Sequence, residues 1–411
     1  MVHPPRPSLE TFKQIFRDWF DQFLRHHPDY EGTRRVVEKM LGCGDTNHGY
    51  SEFICPHCNQ KKVVAFSCKS SFCVRCGAAR TIDLVRQMEA LFFPGIDYRH
   101  VVLTVPEQLR SSFAECPHLL SEMVKAGVAT LIAVMNRAAG RPLRIGAVAV
   151  IQTAGRASNY NPHLHLMVTS GGIDETGRWQ DVKRVSFDYL HREWQRQLFS
   201  MLEAPCRDRS MMQLLESLRQ EYQRGLVAYW EPRPVRAGKG LARYLIRYVV
   251  SPPVAVSRII EYDGEEVEYF WQDHKSQKPE RARVTAVEFI RRLVQHILPK
   301  GFQRIRYLGL HAVCVRQKIK EQVRRAIGAV VQEAFYFAEA VMRKLGWRAK
   351  IREKFGKDPL VCEQCGEEMM LWKVWVPKHG VVYYLPEDAP VWSEAEVSAK
   401  TEGNAQLCFS F

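Results

Sequence analysis

Two short patterns in this sequence carry reactive side chains at spacings that set them side by side. His163-Leu164-His165 opens an apolar, β-branched run from His163 to Ser170. The two-residue period of a strand aims both imidazoles at one face and the leucine between them at the other. Two imidazoles on one face can hold a divalent cation. Tyr244 and Tyr248 flank Leu-Ile-Arg in a short helical stretch from Leu241 to Val250, so their phenols share one helix face about a turn apart. Taken singly, each pattern is more often structural than chemical; together they describe phosphodiester chemistry. A tyrosine hydroxyl is a weak nucleophile at neutral pH, but a bound metal polarises a scissile phosphate and stabilises the charge that develops on it, which makes a covalent phosphotyrosine feasible. Two tyrosines allow two strand transfers at one site.

A second chemistry belongs to cysteine. Of twelve cysteines, six (Cys43, Cys55, Cys58, Cys68, Cys73 and Cys76) fall within 34 residues. Cys-x2-Cys pairs place two thiolates on one tight turn, as tetrahedral zinc requires. Cys55-x2-Cys58 and Cys73-x2-Cys76 are fourteen residues apart, just below the usual spacing of a four-cysteine site. Cys43, His48 and Cys68 are three more candidate ligands, enough to complete or share a second site, so one or two Zn²⁺ ions are expected. His57 reads as a solvated turn residue. Cys362-x2-Cys365 stands alone near the C-terminus and supplies half a zinc site.

These residues need elements to position them. Phe12, Ile15, Phe16, Trp19, Phe20, Phe23 and Leu24 recur at helical spacing ahead of the cysteines, an amphipathic helix that can pack on the metal module. Tyr98 to Pro106 reads as a strand stopped by proline, followed by helix from Leu119 to Ala139. Arg144 to Gln152 and His163 to Ser170 read as an antiparallel hairpin across the polar loop Thr153 to Pro162. Gln152, at the end of the strand before the histidines, is the candidate third metal ligand. The expected division is residues 1–93, an N-terminal helix and zinc-binding domain; 94–310, the catalytic domain with a helical insertion at about 171–237; and 311–411, a basic helical segment and Cys-x2-Cys tail. The fold class is α+β, an antiparallel sheet flanked by helices behind an N-terminal Cys-rich zinc-binding domain.

Charge names the class of partner. The 411 residues carry a formal charge of +14, which favours a polyanion such as nucleic acid. Lys300 to Asp358 alone holds fifteen Lys and Arg against five Asp and Glu, part of it on an amphipathic helical pattern from about Val313 to Leu345. Lys239, in the Gly238-Lys239-Gly240 turn before the tyrosines, can bring a cation and free amides to a phosphate. That turn is no nucleotide-binding P-loop, which needs glycine where Arg233 stands and Ser or Thr where Gly240 stands. Arg243, Arg247, Arg304 and Arg306 complete the expected DNA-binding cations. No run approaches the roughly 18 uninterrupted apolar residues of a membrane helix, and the first ten residues lack a signal peptide's apolar core, so a soluble, cytoplasmic, nucleoid-associated protein is expected.

The ordered motifs resemble the two-tyrosine HUH transposases of rolling-circle insertion sequences, the insertion sequence 91 family. The resemblance runs from Cys43, His48-Gly49, Cys55-x2-Cys58, Ser67-Cys68 and Cys73-x2-Cys76 through Tyr98 to Pro106, Asn161-Pro162-His163-Leu164-His165 and Tyr244-x3-Tyr248. It continues through Glu288 to Arg292 and Leu298 to Phe302 as far as Arg304-Ile305-Arg306, about three quarters of the chain. It implies an HUH endonuclease-like sheet, Mg²⁺ or Mn²⁺ on His163 and His165, and Tyr244 and Tyr248 joining to 5′-phosphates while a 3′-hydroxyl is released. DNA, single-stranded at the cut, is the implied partner, with host helicase and replication proteins opening the duplex. One departure is Phe72, where relatives tend to carry histidine just before the Cys-x2-Cys. A plasmid-type replication initiator or relaxase would use the same chemistry; a non-catalytic zinc-dependent DNA-binding protein would have no use for paired tyrosines beside His-x-His.

Overall fold

The computed structural model describes residues 8–89, 91–93, 95–155, 157–203, 209–236, 254–272, 278–312, 314, 323 and 346–385. Tyr244, Tyr248, Lys239, Arg243, Arg247 and nearly all of the basic helical pattern after Val313 lie outside them. The chain divides into two compact units, each built from discontinuous stretches: residues 1–41 with 69–346, and residues 42–68 with 347–411. Three consecutive regions were expected; instead the first helix belongs with the larger unit and the C-terminal stretch with the cysteine segment.

The larger unit is organised by an antiparallel sheet of β3 (Asp97–Thr104), β4 (Gly146–Ala154), β5 (Tyr160–Thr169), β8 (Ala228–Trp230), β9 (Val235–Arg236) and β13 (Ile305–Gly309). Its order is β13-β4-β5-β3-β8, with β9 also paired to β3. The expected hairpin is present: β4 and β5 pair with Gln152 opposite His163 and Val150 opposite His165. β5 also pairs with β3, setting Thr104 opposite His163 and His100 opposite Met167. Since opposed residues share a face and the side-chain period is two, His100, Thr104, Gln152, His163 and His165 all lie on one side of the sheet.

The other side is sealed by a core of Val101, Leu103, Ile151, Leu164 and Leu166 from the strands under α5 (His118–Ala139) and α6 (Phe187–Glu203). α5 has the length and apolar composition of a membrane-crossing helix, yet its apolar residues, Leu120, Met123 and Leu131 among them, are buried in this core. Gly127 lets it come close: a Cβ there would stand 2.7 Å from Leu164 Cδ1, directly behind the two histidines. α6 places Trp194, wholly buried, with its Nε1–H donating to the carbonyl of Thr104 (2.8 Å). The histidine face has its own smaller core, in which Leu84 and Met88 of α3 (Val74–Glu89) and Phe92 meet Tyr98, Val148, Val150 and Met167. That core ends short of Gln152 and His163, so the final residues of these strands stay open.

Two hairpin strands, β6 (Gly171–Ile173) and β7 (Trp179–Asp181), precede α6, and α7 (Arg209–Glu221) leads back to β8, which accounts for most of the expected helical insertion. A separate sheet, β10 (Ile259–Tyr262), β11 (Glu266–Gln272) and β12 (Pro279–Thr285), runs into α8 (Ala286–Val294). The amphipathic N-terminal helix α1 (Leu9–His26), started by a Ser8 capping box, packs on α8, and its Trp19 indole donates to the Gly264 carbonyl (2.7 Å). It was expected to pack on the metal module; its apolar stripe lies within the larger unit, where Phe16 meets the ring of Phe72, next to Cys73.

The smaller unit is a four-stranded antiparallel sheet, β15-β14-β1-β2, made of β1 (Tyr50–Ile54), β2 (Lys61–Ala65), β14 (Met370–Val376) and β15 (Gly380–Tyr384), with α9 (Trp347–Phe355) alongside. Strands more than three hundred residues apart in sequence are therefore direct neighbours.

Candidate active site and metal centres

The sheet supplies an imidazole pair with different surroundings. His163 is partly exposed, and its Nδ1 lies 2.7 Å from the carbonyl oxygen of Asn161. A carbonyl only accepts, so Nδ1 carries the proton and Nε2 presents a lone pair, the tautomer a metal ligand needs. His165 is buried, its ring 4.9 Å from that of His163. Its Nε2 stands 2.9 Å from Gln152 Oε1 and its Nδ1 3.0 Å from His100 Nε2.

One of these distances fits a six-coordinate divalent cation: with bonds of about 2.1 Å, adjacent ligand atoms on such an ion are about 3.0 Å apart, near the 2.9 Å that separates His165 Nε2 from Gln152 Oε1. His165 and Gln152 would hold such an ion; with the proton of His165 then on Nδ1, that nitrogen would donate to His100 Nε2, so the contact that seats the ring would also select its tautomer. Charge agrees. Burial pushes His100 down to about 4 and holds His163 and His165 below the ordinary histidine range, leaving all three as neutral imidazoles at neutral pH.

His100 was missed by sequence reasoning. It sits in the Tyr98-Arg-His run, six residues before its proline stop, and only the β3–β5 pairing shows that it stacks on His165 (ring centroids 5.2 Å apart, nearly parallel). Arg110 was missed as well. It is a positive neighbour of His163, and its Nε is buried with no hydrogen-bond partner among the described residues, as is Asn161 Oδ1.

The expected DNA-contacting arginines that the structure describes do not join this face. Arg306 pairs opposite Ala149, on the α5 side of the sheet, where its guanidinium donates to Ser121 Oγ (3.2 Å). Arg304 donates to the His296 carbonyl (2.8 Å). Both are tied into the fold because the strand period carries them away from the histidines.

The cysteines sort differently from their spacing. In the smaller unit Cys55 and Cys58 join Cys362 and Cys365, the four sulfurs within 4.8 Å of one another, and the Cys68 amide lies 3.4 Å from Cys43 Sγ. Cys55-x2-Cys58 turns at the tip of the β1–β2 hairpin, and Cys73-x2-Cys76 lies in the larger unit at the start of α3; the pairing that spacing suggested is not the one observed. His48 is outside the four-cysteine group; it is exposed, 3.5 Å from Asp45. Phe72 is buried with its ring edge-on to Phe16.

Comparison with known proteins agrees with this arrangement. Residues 15–105 match the profile of the transposase zinc-binding domain Zn_Tnp_IS91, and residues 146–319, which include the histidine strand, match the Y2_Tnp transposase profile. Over 392 residues the chain is 29% identical to the transposase for insertion sequence element IS801 of Pseudomonas savastanoi pv. phaseolicola, covering 90% of each chain. It is 24% identical over 379 residues to transposase y4qJ of Sinorhizobium fredii, covering 87% of this chain and 93% of that one. No solved structure matches. With a zinc-binding domain in front, an antiparallel sheet carrying paired histidines behind it, and likeness along nine tenths of its length, the chain belongs to the insertion sequence 91 family of transposases, enzymes that act on DNA.

Proposed function

We propose that this transposase cuts and rejoins single-stranded DNA through 5′-phosphotyrosine intermediates during rolling-circle transposition, with His163, His165 and Gln152 binding Mg²⁺ or Mn²⁺ and Tyr244 and Tyr248 as nucleophiles. The observation that carries this reading is the cluster on one sheet face: a neutral imidazole pair with the amide oxygen of Gln152 2.9 Å from His165 Nε2. A cation held there would polarise the scissile phosphate and stabilise its developing charge.

The chain's own residues do the rest. A tyrosine Oη attacks phosphorus, the bond from phosphorus to the 3′ oxygen breaks, and that oxygen takes a proton and leaves as a free 3′-hydroxyl that can prime synthesis. Attack by a 3′-hydroxyl on the phosphotyrosine reverses the step and rejoins strands, and a second tyrosine lets a second strand be held meanwhile. Arg110, beside His163 with an Nε that has no hydrogen-bond partner among the described residues, is placed to donate to a phosphate oxygen. The chain leaves the described sheet at Arg236, on the strand paired to β3, shortly before the tyrosine segment begins. Host helicase and replication proteins would supply single strands in the cytoplasm.

End-labelled oligonucleotides from the element's own termini test this. Incubated with the protein and Mn²⁺, a 3′-labelled strand should become covalently attached to protein, and a 5′-labelled strand should be released as a shorter fragment with an extendable 3′-hydroxyl. Label transfer to protein from the 5′-labelled strand would contradict the assignment.

His100 acts through His165 as a positioning residue. His100→Ala should raise the Mn²⁺ concentration needed for half-maximal nicking by roughly 10- to 100-fold, leave DNA affinity unchanged, and be partly rescued by His100→Gln, which keeps a hydrogen-bond acceptor. An unaltered metal requirement in His100→Ala would remove it from the mechanism.

A further inference from the structure

The two Cys-x2-Cys turns of the smaller unit are local copies of each other. In one, Asn59 N–H donates to the Cys55 carbonyl (2.9 Å) and Cys55 N–H to that of Gln60 (2.9 Å); in the other, Gly366 N–H donates to Cys362 (2.9 Å) and Cys362 N–H to Glu367 (2.8 Å). The residue after each second cysteine takes the left-handed conformation that closes so tight a turn, Asn59 at φ 58° and Gly366 at φ 82°. Equivalent amides also face the sulfurs: that of Gln60 meets Cys58 and that of Glu367 meets Cys365, while those of Cys365 and Gln364 meet Cys362.

The turns face each other crosswise. Cys55 Sγ lies 3.4 Å from Cys365 Sγ, and Cys58 Sγ lies 3.5 Å from Cys362 Sγ. Both gaps are far beyond the roughly 2.05 Å of a disulfide and close to the spacing of about 3.8 Å between thiolates bound at 2.3 Å around tetrahedral zinc. Cys55 and Cys362 are buried, with Met369 and Phe53 packed beside them. Around this point the N- and C-terminal strands are joined in register, Tyr50 to Trp375 through Ile54 to Met370. Lys373 pairs with Glu52 (2.9 Å), Lys62 with Glu363 (3.4 Å), and Lys61 sits over the Trp372 ring (3.7 Å). Neither matching family profile extends to Cys362.

We propose that Zn²⁺ bound by Cys55, Cys58, Cys362 and Cys365 fastens the C-terminal strands to the N-terminal cysteine segment, so that this metal site is complete only when residues from both ends of the chain have come together. Each of the four thiols gives up its proton as it binds. The distance in sequence is no obstacle, because closure entropy grows only logarithmically with loop length, about 0.6 kcal/mol per doubling. The consequence is that a chain cut before Trp347 keeps its N-terminal Cys-x2-Cys yet lacks half the ligands for this ion.

Maleimide labelling of the full-length, zinc-loaded protein, read by mass spectrometry, tests this without any substitution. Cys116 and Cys314, exposed and outside this group, should react at once. Cys55, Cys58, Cys362 and Cys365 should react at least about 100-fold more slowly and become reactive together when a chelator withdraws zinc. If Cys362 and Cys365 react as fast as Cys116, or if their protection is unchanged by the chelator that releases Cys55 and Cys58, the proposal fails. The double variant Cys362→Ser, Cys365→Ser should lower bound zinc by about one ion per chain; an unchanged zinc content would equally overturn it. Both measurements read zinc alone and are independent of nicking.

Discussion

Replacing Tyr244 and Tyr248 together with phenylalanine is expected to abolish the covalent protein–DNA adduct, a loss of about 10⁴-fold or more, since removal of an enzyme's only nucleophiles leaves nothing to form the bond. The i, i+4 spacing of the two tyrosines in the sequence predicts phenols on one helix face, so each single variant should keep a measurable fraction of adduct formation while losing the coupled transfer of two strands. Denaturing gels with a 3′-labelled strand give the answer directly. An adduct of ordinary yield in the double variant would require another nucleophile and sink the assignment. Binding of single-stranded DNA should be nearly the same in all three variants, because phenylalanine keeps the ring and only the hydroxyl is lost.

The second large effect is expected at His163. His163→Ala removes one of the two proposed imidazole ligands, and nicking should fall roughly 10³-fold, the scale seen when one transition-state stabiliser is deleted. DNA affinity should move by less than about threefold, because it comes from cations meeting phosphates. The substitution should also spare the fold: His163 is partly exposed, and its hydrogen bond goes to the nearby Asn161 carbonyl. His165 is a poorer probe, since it is buried between His100 and Gln152 and its removal strands both partners. Parallel loss of nicking and binding in folded His163→Ala would argue against separate roles. A variant that nicks normally would rule out metal ligation by this residue.

Much of the site was legible in the sequence because it is local. The two-residue strand period alone puts His163 and His165 on one face, and the hairpin between β4 and β5 is short enough that Gln152 could be named as a ligand candidate; the structure sets it opposite His163. The same period, applied to β13, carries Arg306 to the opposite side, a consequence hidden until its partner strand was known. His100 was illegible for a related reason: nothing in Tyr98 to Pro106 says which strand lies beside it.

The cysteines show the boundary most clearly. Residue type and the Cys-x2-Cys spacing determined that this chain binds metal through thiolates, since each tight turn is a local property of four residues. Which turns share an ion was decided by tertiary structure. β14, from the far end of the sequence, pairs with β1, which brings Cys362 and Cys365 to Cys55 and Cys58. The sequence by itself thus determined the reactive groups, their local pairing and the polyanionic partner that a charge of +14 calls for. Strand pairing decided which of those groups meet, because such contacts depend on hydrogen bonds between segments that no local spacing records.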